Sequence, residues 1–167
     1  MPRSFDMAAD YDGGVEQVFE AFGDRQYWTD RLEQSGSDEA TLDSMTVGAD
    51  GIDVVTTQTL WASRLPGLVA QFHKGDLSFI REELWTPIRD GRTTATVKGT
   101  IPGAPASLTG TAVLAPSDTG SRLEFRATVE VRIPLVGGKV EGFVGSQLVE
   151  LLIAEQRFTT DWIRANA

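Results

Sequence analysis

The 167-residue chain contains no cysteine, which excludes disulfides, thiolate metal sites and a cysteine nucleophile. It has a single histidine, His73. A metal centre would have to be built from that ring plus carboxylates, and no second ligand stands at a telling spacing. His73 reads as a loop histidine, and as a general base it would need an orienting carboxylate. Positive charge is scarce too: 15 Lys and Arg stand against 24 Asp and Glu, a formal net charge of −9. A surface that acidic repels phosphate backbones and anionic headgroups, so nucleic acid is not expected as a partner. No run approaches the roughly 18 apolar residues of a membrane span, so stable membrane insertion is not expected. The opening MPRSFDMAAD lacks the apolar stretch of a signal peptide. A reducing cytoplasm is the expected location.

What is present is periodic. Arg3 to Tyr11 alternates as a first strand would. Val15, Val18, Phe19 and Phe22 then share one helical face, and Gly23 stops that helix. Asp24 is placed to cap a second helix carrying Tyr27, Trp28 and Leu32. From Glu39 to Ile133 the period becomes two, with strands expected at Glu39–Val47, Ile52–Ala62, Leu77–Ile88, Thr93–Ile101, Ser107–Ala115 and Arg122–Ile133. Ala49-Asp50-Gly51, Asp90-Gly91, Pro102-Gly103 and Asp118-Thr119-Gly120 supply the hairpin turns. Pro134 ends the last strand, and the rest of the chain reads as one helix of about 30 residues, roughly 45 Å long. Val140, Phe143, Val144, Leu148, Leu151, Phe158 and Trp162 form its apolar stripe. This order predicts a single α+β domain over residues 1–167. Its architecture is a curved seven-stranded antiparallel sheet wrapped around the long C-terminal helix, with two short helices after the first strand.

Inward positions on two adjacent strands are small: Ala95, Val97 and Gly99 on one, Leu108, Gly110 and Ala112 on the next. Interiors pack at crystal-like density, so small residues there mean a closely approaching helix or a cavity. Large side chains elsewhere favour a cavity, mostly apolar with few polar groups. The expected ligand-contacting set follows. Trp28, Trp61, Phe79, Trp85 and Phe125 supply aromatic walls. Val97, Gly99, Leu108 and Gly110 come from the small-residue strands, and Val140, Val144 and Leu148 from the helix. Arg81 and Glu155 are the candidate polar anchors.

Two stretches carry a family resemblance: VEQVFEAFGDRQYW (Val15–Trp28) and RIPLVGGKVEGFV (Arg132–Val144). With them the chain resembles the START-related helix-grip superfamily, which includes the birch-pollen allergen proteins and the polyketide cyclase/dehydrase and lipid-transport group. Within it the chain looks most like an actinobacterial family of uncharacterised function. The resemblance implies a hydrophobic-ligand pocket between sheet and helix, and no particular ligand or chemistry.

Sharper motifs are absent. Gly137-Gly138-Lys139 lacks the earlier glycine and the following Ser or Thr of a phosphate loop. Arg81, Glu83 and Trp85 share one face of their strand, read as a wet face with cross-strand ion pairs or as a ligand anchor. Glu155 falls inside the apolar stripe, so it either pairs with an arginine of the helix pair or sheet or projects into a polar part of the pocket. Gly138, Gly142 and Gly145 fall opposite that stripe, which implies that they are not needed for helix–sheet approach. There they would admit a second backbone, weaken the first turns into a fraying portal, or simply occupy exposed positions that tolerate any residue. Val149, Leu152, Ile153 and Ile163 lie off the stripe and offer a surface for a homodimer. No catalytic residue, metal or cofactor is assigned. The expected function is binding or carriage of a small hydrophobic molecule, lipid-, fatty-acid- or polyketide-like. The alternatives are a cyclase, dehydratase or isomerase acting on such a molecule, and an interaction module with a filled core.

Overall fold

Alternating apolar and polar residues set the strands. The computed structural model describes residues 2–71 and 73–166. Its strands are β1 (Arg3–Tyr11), β2 (Glu39–Gly48), β3 (Gly51–Leu60), β4 (Leu77–Trp85), β5 (Thr93–Thr100), β6 (Ala106–Ser117) and β7 (Gly120–Val131). They form one curved antiparallel sheet in the order β1-β7-β6-β5-β4-β3-β2. On β7, Leu123, Ala127, Val129 and Val131 are buried while Arg122, Glu124 and Arg126 are exposed, the alternation of a sheet with one covered face. Between β4 and β5, Asp90 and Gly91 both adopt positive φ, 53° and 75°, as a two-residue type I′ hairpin requires.

The helices are α1 (Val15–Phe22), α2 (Arg25–Glu33), α3 (Gly67–Ala70) and α4 (Gly137–Asn166). Gln17 accepts from the Gly14 amide at 3.1 Å at the start of α1, and Asp24 accepts from the Gln26 amide at 2.9 Å at the start of α2. These contacts satisfy amides left open at helix N-termini. The Trp28 indole then donates to the Phe22 carbonyl at 2.7 Å and fixes the bend between α1 and α2.

The β3–β4 connection departs from expectation. β3 stops at Leu60, and Ala62–Arg64 forms a 3-10 turn followed by α3. Leu68 of α3 packs toward the Val97–Val131 cluster.

Apolar residues gather at two ends of the molecule. At one end Phe22, Tyr27, Trp28 and Trp85 cluster, with Phe22 and Trp85 ring centroids 4.9 Å apart and Tyr27 edge-on to Trp162 at 5.4 Å. At the other end Val97, Leu108, Val129, Val131 and Val140 cluster.

α4 meets the sheet chiefly along β1 and β7, and its glycines explain how. A Cβ at Gly145 would overlap the Phe5 ring of β1, one at Gly142 would reach Arg3 Nη1 at 2.7 Å, and one at Gly137 the Val131 carbonyl at 2.5 Å. The expectation that the glycine face is not needed for approach to the sheet is overturned at Gly145, which seats the Phe5 ring of β1, while Gly138 faces open space. The first turns of α4 are also held to the sheet by a side chain. Glu141 is buried there and accepts from the Val131 amide at 2.9 Å, tying α4 to β7.

Candidate functional site

Because α4 leans onto β1 and β7, its stripe faces β3, β4, β5 and β6 across a gap. A chamber of about 350 Å³ lies there. Leu60, Leu77 and Phe79 wall one side, Ile101 and Leu108 the back, and Phe143, Val144, Leu148 and Leu151 the helix side. Ser35, Gly36 and Ser37, between α2 and β2, form part of its rim. Phe79, Leu108, Leu148 and Leu151 also line a second, inner chamber of about 70 Å³. Those four side chains border both chambers.

The inner chamber has a different chemistry. Arg81 and Glu83 sit on the same β4 face as Phe79 and Trp85, and all four point inward. The reading of this face as wet is corrected: Arg81 and Glu83 side chains are 11% exposed, while Leu84 on the opposite face is 45% exposed. Arg31 reaches in from the end of α2 and Glu155 from α4. Glu155 accepts at 2.7 Å from Arg81 Nη2 and pairs with Arg31 Nη2 at 2.5 Å. Glu83 lies 3.3 Å from Arg81 Nε and 3.9 Å from Arg31 Nη2. Two guanidiniums and two carboxylates thus form a closed, electroneutral quartet. Glu155 fulfils both of its expected alternatives at once, paired with arginines and facing the cavity.

Hydrogen bonding extends the quartet in one direction. Thr159 Oγ1 donates to the Glu155 carbonyl at 2.7 Å, which uses its only proton. The Tyr27 hydroxyl, 2.6 Å away, is therefore the donor to Thr159 and accepts in turn from Arg31 Nη1 at 3.3 Å. Arg31 also stacks over the Trp28 ring at 4.7 Å, which shields the cation with an aromatic face. Burial opposes ionisation of Glu155, but the Arg31 and Arg81 charges outweigh it and hold the carboxyl at about 2. Burial pushes the Tyr11 and Tyr27 phenols up, so both stay protonated donors at neutral pH. Tyr11 lines the inner chamber beside the quartet.

Of the ligand-contacting set expected from sequence, Phe79, Arg81, Trp85, Val97, Leu108, Phe125, Leu148 and Glu155 line the inner chamber. Gly99 and Val144 line the outer one, with Phe79, Leu108 and Leu148 shared. Trp28, Trp61, Gly110 and Val140 line neither. Trp28 is sealed beneath the α1–α2 bend, and Val140 packs on the sheet-end cluster. Trp61 lies just beyond β3, 48% exposed, its amide donating to Asp38. At Gly110 the Phe125 ring takes the space, 2.7 Å from where a Cβ would sit, and Phe79 covers Gly99 similarly at 2.6 Å. Gly99 and Gly110 thus seat neighbouring rings, while Val97, Leu108 and Ala112 of the same inward set line the inner chamber. Arg31, Tyr11, Tyr27 and Thr159 were missed as site residues. Arg31 had a signal, since a buried carboxylate on α4 requires a cation and α2 ends nearby.

His73 lies in the β3–β4 connection, its Nε2 3.0 Å from the Asp76 carbonyl, and lines neither chamber. Among the described residues no group of three or more His, Asp or Glu is placed to hold a metal, and no helix is long and apolar enough to cross a membrane. Of the four residues expected to offer a dimer surface, Leu152 and Ile163 pack on the core while Val149 and Ile153 are exposed.

Solved structures share this architecture at low identity, which speaks to fold alone. The Staphylococcus aureus protein of unknown function SA2116 superposes with a TM-score of 0.62 at 10% identity, covering 99% of this chain and 96% of that one. TTHA0849 from Thermus thermophilus gives 0.61 at 15% identity, covering 100% and 99%. Ara h 8.0201 gives 0.53 at 10% identity, covering 99% of each. In sequence, the chain is 51% identical over 173 residues to the uncharacterized protein Rv0481c of Mycobacterium tuberculosis, covering 99% of both, and equally so to the uncharacterized protein Mb0491c of Mycobacterium bovis. A family model described as protein of unknown function (DUF2505) matches residues 6–163. On that match and that identity, the chain belongs to the DUF2505 family.

Proposed function

We propose that this protein, as a START-related helix-grip domain, binds or carries a small hydrophobic molecule in the cavity between the sheet and α4. The observation that carries this reading is a pair of adjoining chambers: an apolar room of about 350 Å³ and a smaller one of about 70 Å³ whose mostly apolar lining carries the Arg31, Arg81, Glu83 and Glu155 side chains. Ligand sites are typically cavities of roughly 300–1,000 Å³, mostly apolar with a few convergent polar groups.

Binding is favoured over catalysis by the state of Glu155. A carboxyl held at about 2 neither donates nor accepts a proton readily at neutral pH. His73, outside both chambers, supplies no base. The absence of cysteine supports a reducing cytoplasm as the site of action. The test is to purify the protein from its native cytosol under mild conditions, extract it with organic solvent and weigh what is released. One or a few co-purifying apolar compounds, present near the protein's own molar amount, support the proposal. A clean extract from protein that also fails to take up added lipids, fatty acids or polyketides sinks it.

A further inference from the structure

We propose that the inner chamber selects a ligand whose leading end is polar but uncharged, such as a hydroxyl, ketone or amide, and rejects carboxylates and amines on the same chain. This rests on the proposed binding function and narrows its ligand class. The quartet is balanced: Arg31 and Arg81 are each within ion-pair distance of both Glu83 and Glu155. An entering carboxylate therefore finds no free cation. To pair with Arg81 it must displace Glu155, which would then be left buried without a partner, or remain beside two carboxylates of its own sign. An ammonium meets the mirror-image problem with the two guanidiniums.

The inner chamber, about 70 Å³ and lined mostly by apolar side chains, strips most of the water from a charged head that enters it. An uncharged head avoids both penalties. It can accept from the Tyr11 phenol or a guanidinium edge, or donate to a carboxylate, and leave the net charge unchanged. The apolar chain behind the head then lies against Phe79, Leu108, Leu148 and Leu151, which border both chambers. Selectivity is then a property of the quartet's net charge, so removing one charge should redirect it.

The experiment displaces Nile red from the purified protein with decanol, decanamide, decanoate and decylamine near neutral pH. The wild type should be displaced by decanol and decanamide, with decanoate and decylamine weaker by at least about tenfold. Glu155→Gln leaves an excess positive charge and should raise decanoate relative to decanol by at least about tenfold, while Arg81→Gln should do the same for decylamine. Decanoate displacing the wild type as strongly as decanol would overturn the inference, even if both variants failed to fold. An unchanged preference in a folded Glu155→Gln would overturn it as well. Displacement by none of the four would instead remove the binding function beneath it.

Discussion

At neutral pH the Glu155 carboxylate is shared between two guanidiniums, and removing it leaves Arg31 and Arg81 with only Glu83 between them. Breaking a buried pair from one side typically costs about 3–5 kcal/mol, and Glu155→Leu should lose an amount in that range in urea denaturation. A loss under about 1 kcal/mol would mean that the quartet behaves as a solvated surface pair. The same residue sets a pH dependence. Its folded value of about 2 lies below the ordinary 4.5, so the unfolded chain binds the proton first and the stabilisation is complete above about pH 4.5. It should fade as pH falls from there toward about 2, and Glu155→Gln should lack that component of the acid limb. Sequence placed Glu155 on the apolar stripe of α4 and Arg81 with Glu83 on one strand face. It could not show which face of β4 turns inward. Ile80-Arg81-Glu82-Glu83-Leu84 puts charge on both faces of the strand, so neither is decisively apolar.

α4 shows why counting angles on a helical wheel misleads when the cavity lies on one side. By angle alone the stripe is the sheet-packed side, whereas Val144 and Leu148 face an open chamber and Gly145 faces β1. Gly142 and Gly145 should therefore respond to alanine with opposite signs. At Gly142 the new methyl meets only the tip of the Arg3 side chain, which can swing away, and helix propensity should add up to about 1 kcal/mol. At Gly145 it would overlap the Phe5 ring, and overpacking of that kind costs about 1–3 kcal/mol. Thermal melts of the two single variants decide this, and two increases would contradict the close approach of α4 to β1. Phe5→Leu should relieve part of the Gly145→Ala loss, a coupling that a double-mutant cycle reads directly. The strands were legible because period-two alternation and turn residues agree, as on β7 and at Asp90-Gly91. The connection between β3 and β4 was not, since a 3-10 turn and a four-residue helix carry too few residues for a period to show.

At the scale of the whole molecule, two packed ends flank a middle that holds the larger chamber. If that middle is a binding site, occupancy should stabilise the entire fold: a ligand at about a hundred times its dissociation constant adds about 2.7 kcal/mol. We propose that the chain unfolds as one unit, so tryptophan fluorescence and far-UV circular dichroism should shift together when ligand is added. Separate transitions would show that the Trp28–Trp85 end and the Val129–Val131 end melt independently. The existence of a cavity was legible from small inward residues and a long helix, but its volume was not, because Phe79 and Phe125 fold over Gly99 and Gly110. The most direct measurement is a Nile red titration of the wild type and of Leu148→Trp, whose larger side chain would take up space in both chambers. A cavity that binds apolar molecules gives saturable fluorescence in the wild type and little in a folded Leu148→Trp. No saturable signal in the wild type, or equal binding by the folded variant, would contradict it.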